Sequence, residues 1–283
     1  MISELKKHEF YKVMHFTDFN SNIEVKAVAS GLNPGRIYVD DAANITAALI
    51  WVKGQNGFQL IGNAKSKPFL NDLEEFMKEH IEPELLRLNI HTVEVGVVDK
   101  RWEDVLHHMA ANKEVHSNIQ HVFTLDSTEG MTEHRSHQVI HGGYPSQNEA
   151  VRLLRLDETL LKVGKFNNMS FLKDKISRFW DNMDDFLEHG FGYTAVHNED
   201  IASVCFSAFI SDQWHAIDIE TIEAYKKNNY GKWVARAFVE ECRNKGIQPY
   251  WDCSPDNAGS IRLAEGVGMS LNFDYRVYWY NLS

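Results

Sequence analysis

Apolar residues in the first third of the chain fall in short β-rich runs at positions 35–39, 46–52 and 58–61. Asp40-Asp41 and Gly54-Gln55-Asn56-Gly57 divide them, which is turn chemistry and predicts a three-strand meander. The period then changes. Phe69, Leu70, Leu73, Phe76 and Met77 recur at helical spacing behind Pro68. Proline suits a first helical position because the amide hydrogen it lacks would be unpaired there. A strand at 92–97, a helix near 102–109 and a strand at 119–125 follow.

Between Asp126 and Gln147 the pattern dissolves into Ser, Thr, Gly and His with a Gly142-Gly143-Tyr144-Pro145 cluster, which reads as a linker. The second half opens with a strand at 151–156 and a long helix at 169–189 that stops at Gly190. Strands at 193–196, 201–210 and 214–221 then make another meander, followed by a helix at 231–244, a strand at 250–252, a helix at 257–265 and a strand at 273–279. Three strands, helix, strand, helix, strand thus occurs twice, and the expected fold class is α+β with an internal duplication. The expected domains are residues 1–128, a linker at 129–147, and residues 148–283.

Only the second copy carries candidate chemistry at its strand-to-helix junction. The run Ala216-Ile217-Asp218-Ile219-Glu220-Thr221 empties into the polar turn Lys226-Lys227-Asn228-Asn229-Tyr230-Gly231 and then an amphipathic helix. The first amides of a helix have no intrahelical partners, and the macrodipole places partial positive charge there. Such a corner holds a pyrophosphate by its backbone. The matching turn of the first copy, Gly62 to Pro68, loses one helix-start amide to the proline.

Composition narrows the partners. The 283 residues carry a formal charge of -11, which excludes a basic nucleic-acid-binding face and suits a cationic or neutral partner. There is no apolar run long enough to span a membrane, and Met1 to Phe10 lacks the apolar core of a secretion signal. Three widely spaced cysteines, Cys205, Cys242 and Cys253, fit a reducing cytoplasm better than a disulfide framework.

Pro249-Tyr250-Trp251-Asp252, followed by Asn257, Ser260, Leu263-Ala264-Glu265 and Gly268-Met269, resembles the GNAT acetyltransferase superfamily. Within it, the second half is similar to the branch that includes zwittermicin A resistance proteins. The duplicated element order extends the likeness to the first half, as a degenerate copy of the same fold. The resemblance implies acetyl-CoA as co-substrate and a cofactor loop of the pattern Gln/Arg-x-x-Gly-x-Gly/Ala. Lys226, Asn229 and Gly231 stand at its marked positions. Lysine keeps the positive charge, and asparagine is the non-glycine residue that best tolerates positive φ. Thr221, the turn through Tyr230 and Ser260 would then line the cofactor, while Asn257 would contact its pantetheine arm or orient the loop beside it. Relatives place a tyrosine acid where this chain has Ala264.

Acyl transfer from a thioester to an amine needs the bound thioester, a deprotonated amine and stabilisation of an oxyanion. Asp218 and Glu220 alternate with Ile217 and Ile219, so both carboxylates share one face of a strand. Glu220 is the nearer to the corner and the first candidate base, with Asp218 beside it; a solvated outer face is the plain alternative. Asn257 and Ser260 could equally cap a short helix. Cys253 has no histidine partner at useful spacing and reads as a structural thiol. His134, His137 and His141 would share a helical face but lack supporting ligands, so no metal site is expected. Tyr275, Tyr278, Trp279 and Tyr280 read as strand packing, with Tyr275 or Tyr278 alternatively lining an acceptor pocket or replacing the missing acid.

The reading is therefore an acetyl-CoA-dependent N-acyltransferase acting on a small-molecule, cationic amine by direct attack in a ternary complex, cytoplasmic, with no nucleic-acid or membrane partner. The alternative is a binding or scaffold protein on a decayed acetyltransferase fold.

Overall fold

β-Branched and aromatic runs become strands in both halves of the chain, and the helical spacings become helices packed on them. The computed structural model describes residues 1–17, 22–110, 113–125 and 150–282. The linker expectation and its three histidines fall at 126–149, outside the described residues. The chain divides into two units. The first comprises Met1–His121, Phe209–Ser211 and Asp274–Ser283, and the second comprises Val122–Ala208 and Asp212–Phe273.

In the first unit, strand β1 (Ser3–Glu4) is followed by helices α1 (Met14–Thr17) and α2 (Ile23–Ala29). Strands β2 (Gly35–Val39), β3 (Ala47–Val52) and β4 (Gly57–Gly62) then make the antiparallel meander expected from the turn residues. Asn56 supplies the left-handed residue of the β3–β4 turn at φ 55°. Helix α3 (Lys67–Phe76) runs through a π-turn into α4 (Glu82–Arg87). Strand β5 (Thr92–Val97) lies parallel to β4, and α5 (Glu103–Met109) leads to β6 (His116–Thr124). The sheet is completed from the far end of the chain, where residues 276–281 of β12 (Ser270–Asn281) pair antiparallel with β5. Phe69, Leu73, Trp102 and Tyr280 are buried in its core.

The start of α3 explains why this copy has no open phosphate corner. Ser66 accepts from the amide of Phe69 at 3.4 Å and Pro68 has no amide hydrogen to offer. The buried Asp40 carboxylate accepts from Ser66 at 3.1 Å and from the Thr46 amide at 3.0 Å. Burial alone would raise the Asp40 carboxyl, but the hydrogen bonds from Thr46 and Ser66 outweigh it and hold the group below its usual range. A carboxylate is thus built in beside this helix start.

In the second unit, β7 (Val151–Arg155) precedes helices α6 (Met169–Phe179) and α7 (Met183–His189). Strands β8 (Gly192–His197), β9 (Asp200–Ser211, of which residues 200–208 belong to this unit) and β10 (Trp214–Thr221), helix α8 (Tyr230–Lys245), strand β11 (Gln248–Cys253) and helix α9 (Ala258–Gly266) follow. Strands β7 to β11 lie side by side in chain order, with β10 and β11 parallel. Val234, Ala235, Phe238 and Cys242 of α8 pack with Phe191, Trp251 and Met269 in the core.

The long helix expected at 169–189 is two helices. Trp180 is extended at φ -125° and ψ 141° and ends α6. Its indole is buried and donates to the Ser207 carbonyl at 2.9 Å. Asn182 then caps α7 by accepting from the Asp185 amide at 2.8 Å. Continuous helix would carry the Trp180 side chain away from that carbonyl, and tertiary packing overrides the helical pattern. Helices α1 and α2 were not foreseen either.

Candidate active site

Strands β10 and β11 pair over only three positions, Trp214↔Gln248, His215↔Pro249 and Ala216↔Tyr250. β10 nevertheless continues to Thr221 and β11 to Cys253. The two parallel strands therefore part after Ala216, and among the described residues Ile217 to Thr221 have no β11 ladder partner. Backbone polar groups of this kind are available to an extended ligand.

The parted end of β10 leads through a short turn, Glu223–Tyr225, to α8. Lys227 and Asn229 take left-handed φ values of 67° and 64°. For asparagine this is tolerable, whereas for a lysine it costs about 1 kcal/mol. The Asn228 amide ties the turn to the carbonyls of Tyr225 and Lys226 at 3.1 and 3.2 Å. No side chain caps the start of α8. Lys226, Lys227 and Lys232 are exposed around it, with Lys226 ion-paired to Glu223. The uncapped amides and basic rim fit a diphosphate.

Gly231 is buried against the end of β10, where an added Cβ would come within 3.1 Å of Thr221 Oγ1. The Thr221 hydroxyl bonds Ser203 at 2.8 Å, and Ser203 donates to the Glu220 carbonyl at 3.0 Å. Thr221 is thus a fastening between β9, β10 and the first turn of α8. Tyr230 is not bulk in the turn: its ring is buried, its hydroxyl meets His197 Nδ1, and Trp233 packs on it at 5.3 Å.

Asn257 caps α9, accepting from the Ser260 amide at 3.0 Å, and Ser260 accepts from the Trp251 indole at 2.8 Å. Ala264, at the position where relatives carry an acid, is fully buried in the core. Cys253 is buried and its thiol is pushed up by that burial, which keeps it protonated. Tyr275 and Tyr278 belong to the first unit. Among the described residues no group of His, Cys, Asp or Glu is arranged to hold a metal, and no helix is long and apolar enough to cross a membrane.

Asp218 and Glu220 share one face of β10, as the alternation requires, while Ile217 and Ile219 pack into the core. Both carboxylates face Lys175 of α6. Its ammonium contacts Glu220 and lies 3.8 Å from Asp218 Oδ2. That oxygen is buried and has no hydrogen-bond partner among the described residues. Burial pushes the Asp218 carboxyl above its usual range, against the pull of Lys175 and Arg178. A buried oxygen left without a hydrogen bond costs stability and is characteristic of sites kept for chemistry. Lys175 itself was not foreseen. Its signal lay in the helix pattern, because it sits three residues after Leu172 and four before Phe179, on the buried face of α6.

Parted parallel strands, an uncapped helix start after one of them and paired carboxylates on that strand thus occur together in the second unit. A family model described as GNAT acetyltransferase matches residues 14–278, and the chain belongs to that family. It is 30% identical over 127 residues to the uncharacterized N-acetyltransferase YdfB of Bacillus subtilis (strain 168), an alignment that takes in 45% of this chain and 47% of YdfB. The match thus spans about half the length of that relative. Among solved structures, a GCN5-related N-acetyltransferase-like protein of Streptococcus suis 89/1591 superposes with a TM-score of 0.63 at 19% identity, over 97% of this chain and 99% of that one. A tandem GNAT protein from the clavulanic acid biosynthesis pathway gives a TM-score of 0.58 at 12% identity, over 99% and 98%. At such identities the likeness is one of fold, and it extends the GNAT architecture to both halves of the chain.

Proposed function

We propose that the second unit binds acetyl-CoA at the β10–α8 corner and transfers its acetyl group to an amine of a small, cationic acceptor. The observation that carries this reading is the parting of β10 from β11 after Ala216, with the uncapped start of α8 standing at the end of the parted strand. The amides of α8 and the exposed lysines would hold the diphosphate, and Gly231 lets the helix approach β10 closely enough to do so. Asn257 and Ser260 lie on the neighbouring helix start, where the pantetheine arm would pass.

In the reaction, Glu220 takes a proton from the acceptor ammonium, with Asp218 beside it as the less exposed partner. The freed amine attacks the thioester carbonyl directly. The oxyanion meets a backbone amide on the parted segment of β10, and the departing thiolate takes the second proton released by nitrogen. With Ala264 buried, this route dispenses with a side-chain acid at that position. Resistance to an antibiotic-like amine, and a cytoplasmic location, extend the reading by analogy of family alone.

The test is a calorimetric titration with acetyl-CoA and with free CoA, run on the wild type and on Gly231→Asp. Micromolar binding lost in the variant supports the reading and opens a screen of amines. Absence of binding in the wild type turns the second unit into a binding or scaffold module.

A further inference from the structure

The carboxylates of β10 already face an amine, and the chain itself supplies it. Helix α6 buries Leu172, Ile176 and Phe179 against the sheet, with Phe179 and Phe206 rings 5.8 Å apart. Lys175 shares that face, so its stem lies along apolar surface and its ammonium reaches the carboxylates. The side chain remains one-fifth exposed. It contacts Glu220, the proposed base, and stands 3.8 Å from Asp218. Among the described residues, Lys175 is the lysine in ion-pair contact with both carboxylates.

We propose that Lys175 is a self-acetylation site: an amine of this chain that the second unit modifies from acetyl-CoA before or between turnovers on a free acceptor. The inference rests on the acetyl-CoA reading given above. Glu220 accepts one proton from the Lys175 ammonium and passes it to solvent. The nitrogen lone pair then forms the C–N bond to the acetyl carbonyl carbon. Collapse breaks the C–S bond, sulfur leaves with the electron pair, and the second proton from nitrogen goes to that thiolate. The products are a neutral amide on Lys175 and free CoA.

The charge change has a local consequence. Asp218 is faced by Lys175 and Arg178 from α6, by Glu220 on its own strand, by Asp252 on β11 and by Cys205 on β9. Acetylation deletes the cation in contact with Glu220, which raises the proton affinity of Asp218 and makes the face one charge more negative. Such a face recruits a cationic acceptor better than the neutralised one does.

The experiment incubates the full-length protein with isotope-labelled acetyl-CoA, or with acetyl phosphate as a donor that needs no CoA site, and maps acetylated peptides by mass spectrometry. Label from acetyl-CoA is expected on Lys175, about a hundredfold faster than in Gly231→Asp or Glu220→Gln. Exposed Lys227 and Lys232 should label no faster than with acetyl phosphate. Lys175→Arg keeps the charge and should bind acetyl-CoA without gaining label at that position. As a readout free of turnover, carboxyl NMR of the unliganded protein should show the Asp218 midpoint rising further in Lys175→Gln and returning in Lys175→Arg. Label spread over exposed lysines, or absent from Lys175 while acetyl-CoA binds, overturns the inference and leaves the acetyl-CoA reading standing. An unmoved Asp218 midpoint in Lys175→Gln also overturns it. Failure of acetyl-CoA to bind brings down both.

Discussion

A Cβ on Gly231 would stand 3.1 Å from Oγ1 of Thr221, so the first turn of α8 is seated on the end of β10 as closely as an alanine could scarcely manage. Gly231→Ala requires Thr221 to yield by a few tenths of an ångström. Alanine's helix preference offsets that by up to about 1 kcal/mol, so the fold should hold within about 1 kcal/mol while acetyl-CoA affinity weakens. Gly231→Asp adds negative charge where the diphosphate is proposed to sit. Its Kd should rise about a hundredfold, equivalent to ~2.7 kcal/mol. Calorimetry decides, and unchanged affinity in the aspartate variant removes the corner assignment.

The two carboxylates should separate in their effects. Glu220→Gln is expected to lower acetyl transfer by about a hundredfold or more at neutral pH, with acetyl-CoA affinity preserved. Asp218→Asn should also lower transfer, yet raise stability. Its folded-state proton affinity lies above the unfolded value, so the charged form costs stability at every pH above both. Denaturant unfolding at pH 7 against pH 4 reads the sign: the advantage of the asparagine variant should shrink as pH falls. A loss of stability at pH 7 would refute this account of the buried oxygen.

His215 makes acid unfolding of the second unit steep. It is buried beside Phe191, accepts or donates at Ser207 at 2.8 Å, and burial with Lys245 nearby depresses it to about 4. A group held neutral in the fold and titrating near 6.5 when unfolded contributes stability that is present above pH 6.5 and is lost as pH falls toward 4. His215→Gln should flatten that limb of the stability curve. An unchanged limb, followed by near-ultraviolet circular dichroism, would assign acid lability elsewhere.

Glu241 is the ionic anchor of α8. Arg155 and Lys245 reach it at 3.1 and 2.6 Å and Tyr193 donates its hydroxyl to it. Burial would raise the carboxyl, but hydrogen bonds from Arg155, Lys245 and Tyr193 prevail and hold it down to about 2. Its contribution is therefore complete above the ordinary carboxylate range and is lost as pH falls toward 2. Glu241→Gln should cost about 2 kcal/mol at pH 7. Thermal unfolding measures it, and a cost indistinguishable from zero would show that the cluster is merely superficial.

Tyr280, three residues from the chain end, is 2% exposed in the first unit's core. It donates to Glu82 at 3.1 Å, and Lys113 lies 4.7 Å over its ring. Tyr280→Ala should cost about 3–5 kcal/mol, as for other large core aromatics. Hydrogen exchange should quicken at β5 in the first unit, with β8 and residues 200–208 of β9 in the second unchanged. Quickening confined to the second unit would contradict the assignment of Asp274–Ser283.

The local code carried most of the elements. Turn residues at Asn56-Gly57, and periods of two and of three to four, foretold both meanders and helix α8, because backbone sterics and alternation act over a few residues. The same alternation put Asp218 and Glu220 on one face, and asparagine's tolerance of positive φ made the turn before α8 readable.

Tertiary structure decided what depended on partners distant in sequence. Trp180 broke a continuous helical pattern because the Ser207 carbonyl, 27 residues on, offered its indole a buried acceptor. The ten residues from Asp274 joined the first unit because β5 had an edge to pair, and strand pairing is indifferent to distance along the chain. The parting of β10 from β11 is a matter of register, and no single residue encodes it. Lys175 met Glu220 only when α6 was laid on the sheet. Sequence alone thus determined most of the strands and helices and which carboxylates align; the fold determined where the α6–α7 pattern breaks and which amine the carboxylates face, because both required packing across elements.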